Sequence, residues 1–333
     1  MKAARIIIAL VIAILLSVGL GTSPFLLAAS QETPAQTTKV YLDQPIGQSV
    51  AFEESEALAE TGKESEAPEA YFANDPYLSK QWALQGIPAL SINGGSTEVL
   101  IAILDTGIDQ EHEDLAGMVI ASVNFSESQT ASDVNGHGTH IAGIIAAATN
   151  NGIGVAGIAP KARLLNVKVA DDNGVVWPSA VAKGIIWAVD NGAKVINMSL
   201  VIPTSSPALE QAIDYAWSKG VVLVAGAGNG IKSIPMYPAY YTKVIAVAAT
   251  DVDGNVWAKS NYGDWVDVYA PGVEIYSTLP GDNYGYQSGT SMATAYVSAV
   301  AALALTTVTD ANGDGFVNDE VASLLSSILV IPR

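Results

Sequence analysis

Val99-Leu100-Ile101-Ala102-Ile103-Leu104, running directly into Asp105-Thr106-Gly107, is the stretch on which the fold turns. Six apolar residues in a row, bounded by a turn sequence, read as a short strand buried on both faces, the kind found in parallel sheets. Runs of the same character recur at Val119 to Phe125, Leu164 to Val169, Val195 to Met198, Val221 to Ala225 and Val244 to Ala248. Between and after them lie helical patterns at His137 to Thr149, Pro178 to Asn191, Ser206 to Lys219, Thr290 to Leu305 and Asp319 to Ser327. Strands alternating with helices predict an α/β fold, a mostly parallel sheet with helices on both faces. In such sheets ligands meet the carboxyl ends of the strands, which is where Asp105 stands.

Other chemistry-bearing residues fall at equally informative places. Gly289-Thr290-Ser291-Met292-Ala293 is a small-residue turn entering a helix, so Ser291 sits where unpaired N–H groups and the helix dipole stabilise an adjacent oxyanion. Alone it reads equally as a helix cap. A serine nucleophile needs a base, and the chain has three histidines, His112, His137 and His140. His137 lies between Gly136 and Gly138, which would let a substrate backbone approach closely. A metal pair made of His137 and His140 lacks a third Cys or His ligand nearby. Val221 to Ala225 continues into Gly226-Ala227-Gly228-Asn229, which places the Asn229 amide at another strand end as an oxyanion donor.

The order Asp105, His137, Ser291 is that of the subtilisin form of the Ser-His-Asp triad. The chain resembles the subtilisin-like serine endopeptidases (subtilases), near their thermitase-like branch. The resemblance is carried by Asn74-Asp75-Pro76-Tyr77, Leu104 to Gly107, Gly136 to His140, Asn197-Met198-Ser199-Leu200, Ala227-Gly228-Asn229, Ser260 to Gly263, Ala270-Pro271-Gly272 and Gly289 to Thr294. It implies a three-layer fold with Asp105, His137 and Ser291 as the triad and Asn229 at the oxyanion hole. It further implies that a peptide adds as a strand near Ser199, Leu200 and Val201 and near Ala225, Gly226, Ala227 and Gly228, with Met236 on the floor of the S1 pocket. Calcium is implied at Asp75 and Asp114 with Thr149, Asn151, Ile153 and Val155, an all-oxygen set.

Three departures from the family pattern carry expectations. Val201-Ile202 replaces Gly-Gly and is expected to narrow S1 and S4. Ala295-Tyr296 replaces Pro-His after the nucleophile, and the bulk of Tyr296 is expected to shift Ser291 relative to His137. Asp310, Asn312, Asp314 and Phe316 match a calcium loop whose twelfth position is Val321 rather than Glu, so the stretch reads either as a second calcium site or as an Asx-rich turn.

Composition sets the compartment. Lys2 and Arg5 precede an uncharged apolar stretch and Ala28-Ala29-Ser30, read as a signal peptide over 1–30 or, if uncleaved, a membrane anchor. Residues 31–73 hold nine acids against two lysines and read as a short acidic pro-segment or linker. Residues 74–333 form the predicted peptidase domain, with 24 acids and 11 bases. That surplus excludes nucleic acid as a partner. The reading is a secreted, monomeric, calcium-dependent serine endopeptidase acting on polypeptides with apolar P1 residues. Two alternatives differ in class. A catalytically impaired homologue, surface-anchored or peptide-binding, is opposed by the intact triad. A carboxyl peptidase on the same fold requires Glu at His137 and Asp at Asn229.

Overall fold

The computed structural model describes residues 40–41, 74–86 and 98–329. The expected signal peptide over 1–30 and all of the expected pro-segment over 31–73 but Val40–Tyr41 lie outside the described residues. In chain order the elements are β1 (Val40–Tyr41), β2 (Leu100–Asp105), β3 (Val119–Asn124), α1 (His137–Ala146), β4 (Arg163–Lys168), β5 (Val175–Val176), α2 (Pro178–Asp190) and β6 (Val195–Met198). They continue with α3 (Pro207–Trp217), β7 (Val222–Gly226), β8 (Ile245–Thr250), β9 (Val268–Pro271), β10 (Ile275–Leu279), β11 (Asn283–Gln287), α4 (Thr290–Ala304) and α5 (Asn318–Ile328).

Seven strands form one sheet in the order β3-β4-β2-β6-β7-β8-β9, and every pairing in it is parallel. Parallel neighbours need crossovers, so all strands deliver their C-terminal ends to one edge. Strand alternation explains the uninterrupted apolar runs, because both faces are covered. Ile101 and Ile103 of β2, with Val222 and Val224 of β7, enter the core beneath α1 and α4. Ala102, Leu104, Leu223 and Ala225 enter the opposite core, beneath α2 and α3. The result is the expected three-layer α/β arrangement.

Small residues let α4 lie close over the sheet; fourteen of its fifteen residues are buried, six of them alanines. α1 is buried throughout, and it ends at Ala146 rather than Thr149 because Ala147 turns extended and Asn150 takes a left-handed φ of 67°. The antiparallel hairpin β10–β11, absent from the sequence reading, packs over α1. Gly143 permits that contact, since a Cβ there would lie 2.2 Å from Thr278 Oγ1. Among the described residues no helix is long and apolar enough to cross a membrane.

His140 lies inside this packing, fully buried, its Nε2–H donating to the Gly285 carbonyl at 3.1 Å. Burial drops its pKa from 6.5 to about 3, so the fold holds the imidazole neutral. An unfolded chain binds this proton below about 6.5, whereas the folded one does not until about 3. Its contribution is therefore fully present above pH 6.5 and lost as pH falls towards 3, at up to about 1.4 kcal/mol per unit. Melting temperatures between pH 7 and pH 4 are expected to fall more steeply for the parent than for His140→Gln. Parallel slopes would refute this assignment.

Candidate active site

Asp105 ends β2 with its carboxylate fully buried, and a buried carboxylate must be matched by donors. Oδ1 accepts from His137 Nδ1 at 2.7 Å, from the Thr106 N–H at 2.7 Å and from Thr106 Oγ1 at 3.3 Å. His137 opens α1, and the left-handed Gly136 before it, φ 96°, turns the chain into the helix. A Cβ at Gly138 would lie 2.0 Å from the Gly107 carbonyl and 3.2 Å from Asp105 Oδ1. Gly138 thus admits the approach of the protein's own backbone, and the expectation that it makes room for a substrate backbone is replaced by this one.

The sequence reading missed the group that holds this junction together. Asp133, nearly buried, accepts from Thr106 Oγ1 at 2.9 Å and the Gly136 N–H at 2.9 Å through Oδ1. Through Oδ2 it accepts from the Thr139 N–H at 2.9 Å and Thr139 Oγ1 at 2.7 Å. One carboxylate therefore ties the first turn of α1 to the exit of β2, and the helix N-terminus is where an anion is favoured. Lys168, register partner of Asp105 and fully buried, donates to the Thr106 carbonyl, to the Ser132 carbonyl at 3.2 Å and to Asp172 Oδ1 at 2.8 Å. The Lys168 ammonium holds the Asp172 carboxyl below its usual value.

Ser291 occupies the first turn of α4 after an extended Gly289, and its Oγ donates to the Ser199 carbonyl at 3.4 Å. Asn229, beyond β7, accepts the Thr290 N–H on Oδ1 at 2.9 Å, which fixes its carboxamide beside the turn that carries Ser291. A Cβ at Gly289 would stand 3.0 Å from Asn229 Nδ2 and press on the carboxamide, so glycine suits that approach. β2, β6 and β7 are adjacent in the sheet, and their exits bring Asp105, Ser199 and Asn229 to one edge, under the N-termini of α1 and α4.

Two short extended segments lie outside the main ladder. Ser199, Leu200 and Val201 leave it after Met198 and, among the described residues, pair with no strand until Ile202 bridges Tyr237. β5 pairs antiparallel with β1, Val40 opposite Val176 and Tyr41 opposite Val175. Ala225, Gly226, Ala227 and Gly228, expected to form the second edge, are already engaged. Ala225 and Gly226 pair with β8, the Ala227 carbonyl accepts from Asn261 Nδ2 at 2.7 Å, and the Gly228 carbonyl accepts from the Asn261 N–H at 2.7 Å. This segment therefore offers no free strand edge.

Side chains near the pocket also depart from expectation. Ile202 is fully buried in the core under α2 and α3, so only Val201 stays at the crevice, its Cγ1 3.3 Å from where a Gly228 Cβ would stand. Met236 is half-buried just before Tyr237. Tyr296 turns away from Ser291 to line a small cavity of about 20 Å³ with Trp82, Leu84 and Ile144, and α4 remains continuous. There burial pushes its hydroxyl up to about 12.

Asp75 and Asp114 converge on the 149–155 loop. Asp75 accepts the Asn150 N–H at 2.9 Å and the Asn151 N–H at 3.2 Å, while Asp114 accepts from the Val155 N–H and Asn151 Nδ2, each at 2.8 Å. Burial raises the Asp114 carboxyl above its ordinary value. Among the described residues, neither acid has an ion-pair partner, and no main-chain N–H meets the carbonyls of Thr149, Ile153 or Val155. In the second loop Asp310 accepts from the Gly313 N–H at 2.6 Å and the Gly315 N–H at 2.9 Å, Asn312 from the Asp314 N–H at 2.9 Å, and Asp314 from the Phe316 N–H at 2.8 Å. Glu320, one place before Val321, reaches back to the N–H groups of Ala311 and Asn312 at 2.9 and 3.1 Å. These bonds are those of an Asx-rich turn. No cluster of three acidic or histidine side chains able to cage a metal occurs among the described residues.

Comparison with known proteins agrees with this geometry. The subtilase family model matches residues 96–325. Thermitase from Thermoactinomyces vulgaris is 50% identical over 238 residues, 70% of this chain and 85% of that protein. A thermophilic serine proteinase from Bacillus sp. (strain AK1) is 49% identical over 65% of this chain and 54% of its own length. Subtilisin E from Bacillus subtilis (strain 168) is 47% identical over 66% of this chain and 58% of its own. A parallel sheet whose strand ends gather Asp105 and His137 beside the helix of Ser291, and a family match over most of the chain, have one conclusion: the chain belongs to the subtilase family and is a subtilisin-type serine endopeptidase.

Proposed function

We propose that Asp105, His137 and Ser291 carry the reaction. The observation that carries this reading is the 2.7 Å contact of His137 Nδ1 with the fully buried Asp105 carboxylate, at the strand edge where α4 presents Ser291. Ser291 Oγ attacks the scissile carbonyl while His137 Nε2 takes its proton and returns it to the leaving amine; water then repeats the cycle on the acyl-enzyme. Asp105 fixes the tautomer and steadies the imidazolium. Asn229 Nδ2 and the Ser291 N–H bind the oxyanion. The polypeptide adds as a strand between β5 and Ser199–Val201.

The chain is secreted in this reading, with 1–30 as signal peptide, 31–73 as pro-segment and the enzyme a monomer. The pairing of Val40–Tyr41 with β5 supports a pro-segment that takes the edge a substrate uses. Ser291→Ala is expected to lose about 10⁶ in kcat and Asn229→Ala about 10² to 10³ with KM nearly unchanged. Mass spectrometry should find Ser291→Ala still joined to residues 31–73 while the active enzyme has shed them. Casein hydrolysis at the parent rate by Ser291→Ala would refute the triad.

With Val201 and Met236 narrowing S1 and no acid placed there, P1 residues such as Ala, Leu or Met are cleaved faster than Phe or Tyr, and Arg or Lys poorly. Met236→Gly should move the preference towards aromatics. A parent peptide-library profile led by Phe, Tyr or Arg overturns the pocket assignment.

Calcium fits the 149–155 loop: two buried carboxylates, the Asn151 side chain and the carbonyls of Thr149, Ile153 and Val155 are hard oxygen donors of the type and number it prefers. Bound there, it would tie the segment at Asp75 to the loop after α1. At a thousandfold excess over Kd such binding stabilises by about 4 kcal/mol. In the Ser291→Ala protein, EDTA should lower the melting temperature by several degrees, and Asp114→Ala should be lower already and indifferent to EDTA. A melting curve unmoved by EDTA, with no calcium by elemental analysis, removes the site.

A further inference from the structure

Asn197 and Ser298 lie behind the nucleophile and have no role in the chemistry described so far. Asn197 is the third residue of β6, in register with Ile103 of β2 and Val224 of β7 at the middle of the sheet. Like Val195 two residues earlier, it faces the layer of α1 and α4. It is fully buried, as are Ser199 and Ser298. Polar groups at that depth persist only when their hydrogen bonds are made.

Here they are made in a single chain. Ser298 Oγ donates to Asn197 Oδ1 at 3.0 Å, Asn197 Nδ2 to Ser199 Oγ at 3.0 Å, and Ser199 Oγ to the Ser291 carbonyl at 2.9 Å. The direction is forced from the far end. A carbonyl can only accept, so the Ser199 hydroxyl must donate to Ser291 and accept from an amide N–H; the Asn197 oxygen is then turned to Ser298. Bonds aligned this way reinforce one another. Ser298 follows Ser291 by two helical turns and so faces the same side of α4, which lets one carboxamide in β6 grip the helix at both places. Ser199 closes the chain reciprocally, since its own carbonyl receives the Ser291 hydroxyl at 3.4 Å.

We infer that Asn197 and Ser298 are positioning residues of the peptidase reaction: through Ser199 they set the separation between the attacking oxygen of Ser291 and the strand edge that holds the scissile bond. The inference rests on Ser291 being the nucleophile. Losing the Ser298 hydroxyl frees the Asn197 amide to turn over, after which its oxygen takes the Ser199 hydrogen and the Ser291 carbonyl loses its side-chain donor. The nucleophile then shifts by a fraction of an ångström relative to a substrate edge that still binds. The signature is a loss in kcat without a loss in KM.

The test uses the active enzyme produced from the full chain, assayed with a peptide substrate, and melting temperatures measured in parallel. Ser298→Ala should lower kcat about 10- to 100-fold and leave KM within about twofold, the scale expected of a small misplacement. Ser298→Thr, which keeps the hydroxyl, should recover most of the rate. Because the relay acts through Ser199, adding Ser298→Ala to Ser199→Ala should cost less than about twofold more. Parent-like kcat in Ser298→Ala, losses that multiply in the double variant, or a loss confined to KM would each overturn the inference. If Ser298→Ala does not fold, Asn197→Asp decides: its carboxylate has no N–H for Ser199, so the same fall in kcat is expected, and an unchanged kcat refutes the relay. A fluorophosphonate probe separates the two levels of the argument. Parent enzyme labelled elsewhere than at Ser291 overturns the nucleophile assignment, whereas labelling at Ser291 with undiminished rates in the variants overturns the relay alone.

Discussion

A fully buried carboxylate at the end of β2 constrains everything around it. Asp105 is tolerable there because the His137 imidazole and the Thr106 N–H converge on one of its oxygens. To deliver the imidazole, α1 must begin within van der Waals contact of the β2 exit, which excludes any side chain at position 138. To keep it there, the first turn of α1 must be anchored, and Asp133 does so by joining three groups of that turn to Thr106. Lys168, buried in the adjacent strand, then binds the Thr106 and Ser132 carbonyls and so fastens both loops from below. The burial of Asp133 and Lys168 has a shared explanation: each is met by backbone and side-chain groups, and the same bonds keep the histidine in place.

The parallel sheet was legible because its strands are buried twice over. β2, β4, β6, β7 and β8 show as apolar runs, and the exits of β2 and β7 show as Asp105 and Asn229 close behind. β9, β10 and β11 were not legible, since Asn283 to Gln287 mixes tyrosines with polar residues and is half exposed, so neither a run nor a clean alternation survives. β5 has two residues, too few to carry any period.

The chemistry divides along the same physical line. Asp105, His137, Ser291 and Asn229 could be found because each stands beside a local feature, a strand end or a helix start. Asp133 could not, because in Ser132-Asp133-Val134-Asn135-Gly136 it reads as a turn residue and its meaning lies in Thr106, far back in the chain. The destination of Ile202 was hidden for the same reason: nothing local says that its backbone will bridge Tyr237 and its side chain enter the core rather than the crevice. Glycines misled in a subtler way. Gly138 announces a close approach, but not whether a substrate or the protein's own carbonyl comes close.

An enzyme that recognises substrate as an added strand has to maintain an unpaired edge, and an unpaired edge is adhesive towards any extended chain. In the proposed reading β5 meets this difficulty by being short and by lying in a loop that is itself held at Ala170 and Asp171. Ser199–Val201, the other proposed edge, is fixed through the Ser199 hydroxyl and the Ile202 bridge. Rigid walls make the pairing selective for a strand that fits between them and reaches Ser291, because a chain that pairs with only one wall gains half the ladder. The pairing of Val40–Tyr41 with β5 follows from the same property, since the edge that accepts a foreign strand cannot distinguish it from an extended segment of its own chain. In that reading specificity comes from side chains at the proposed pocket and from the geometry of the nucleophile, not from the ladder, so the selectivity of this protein is expected to follow Val201, Met236 and the placement of Ser291.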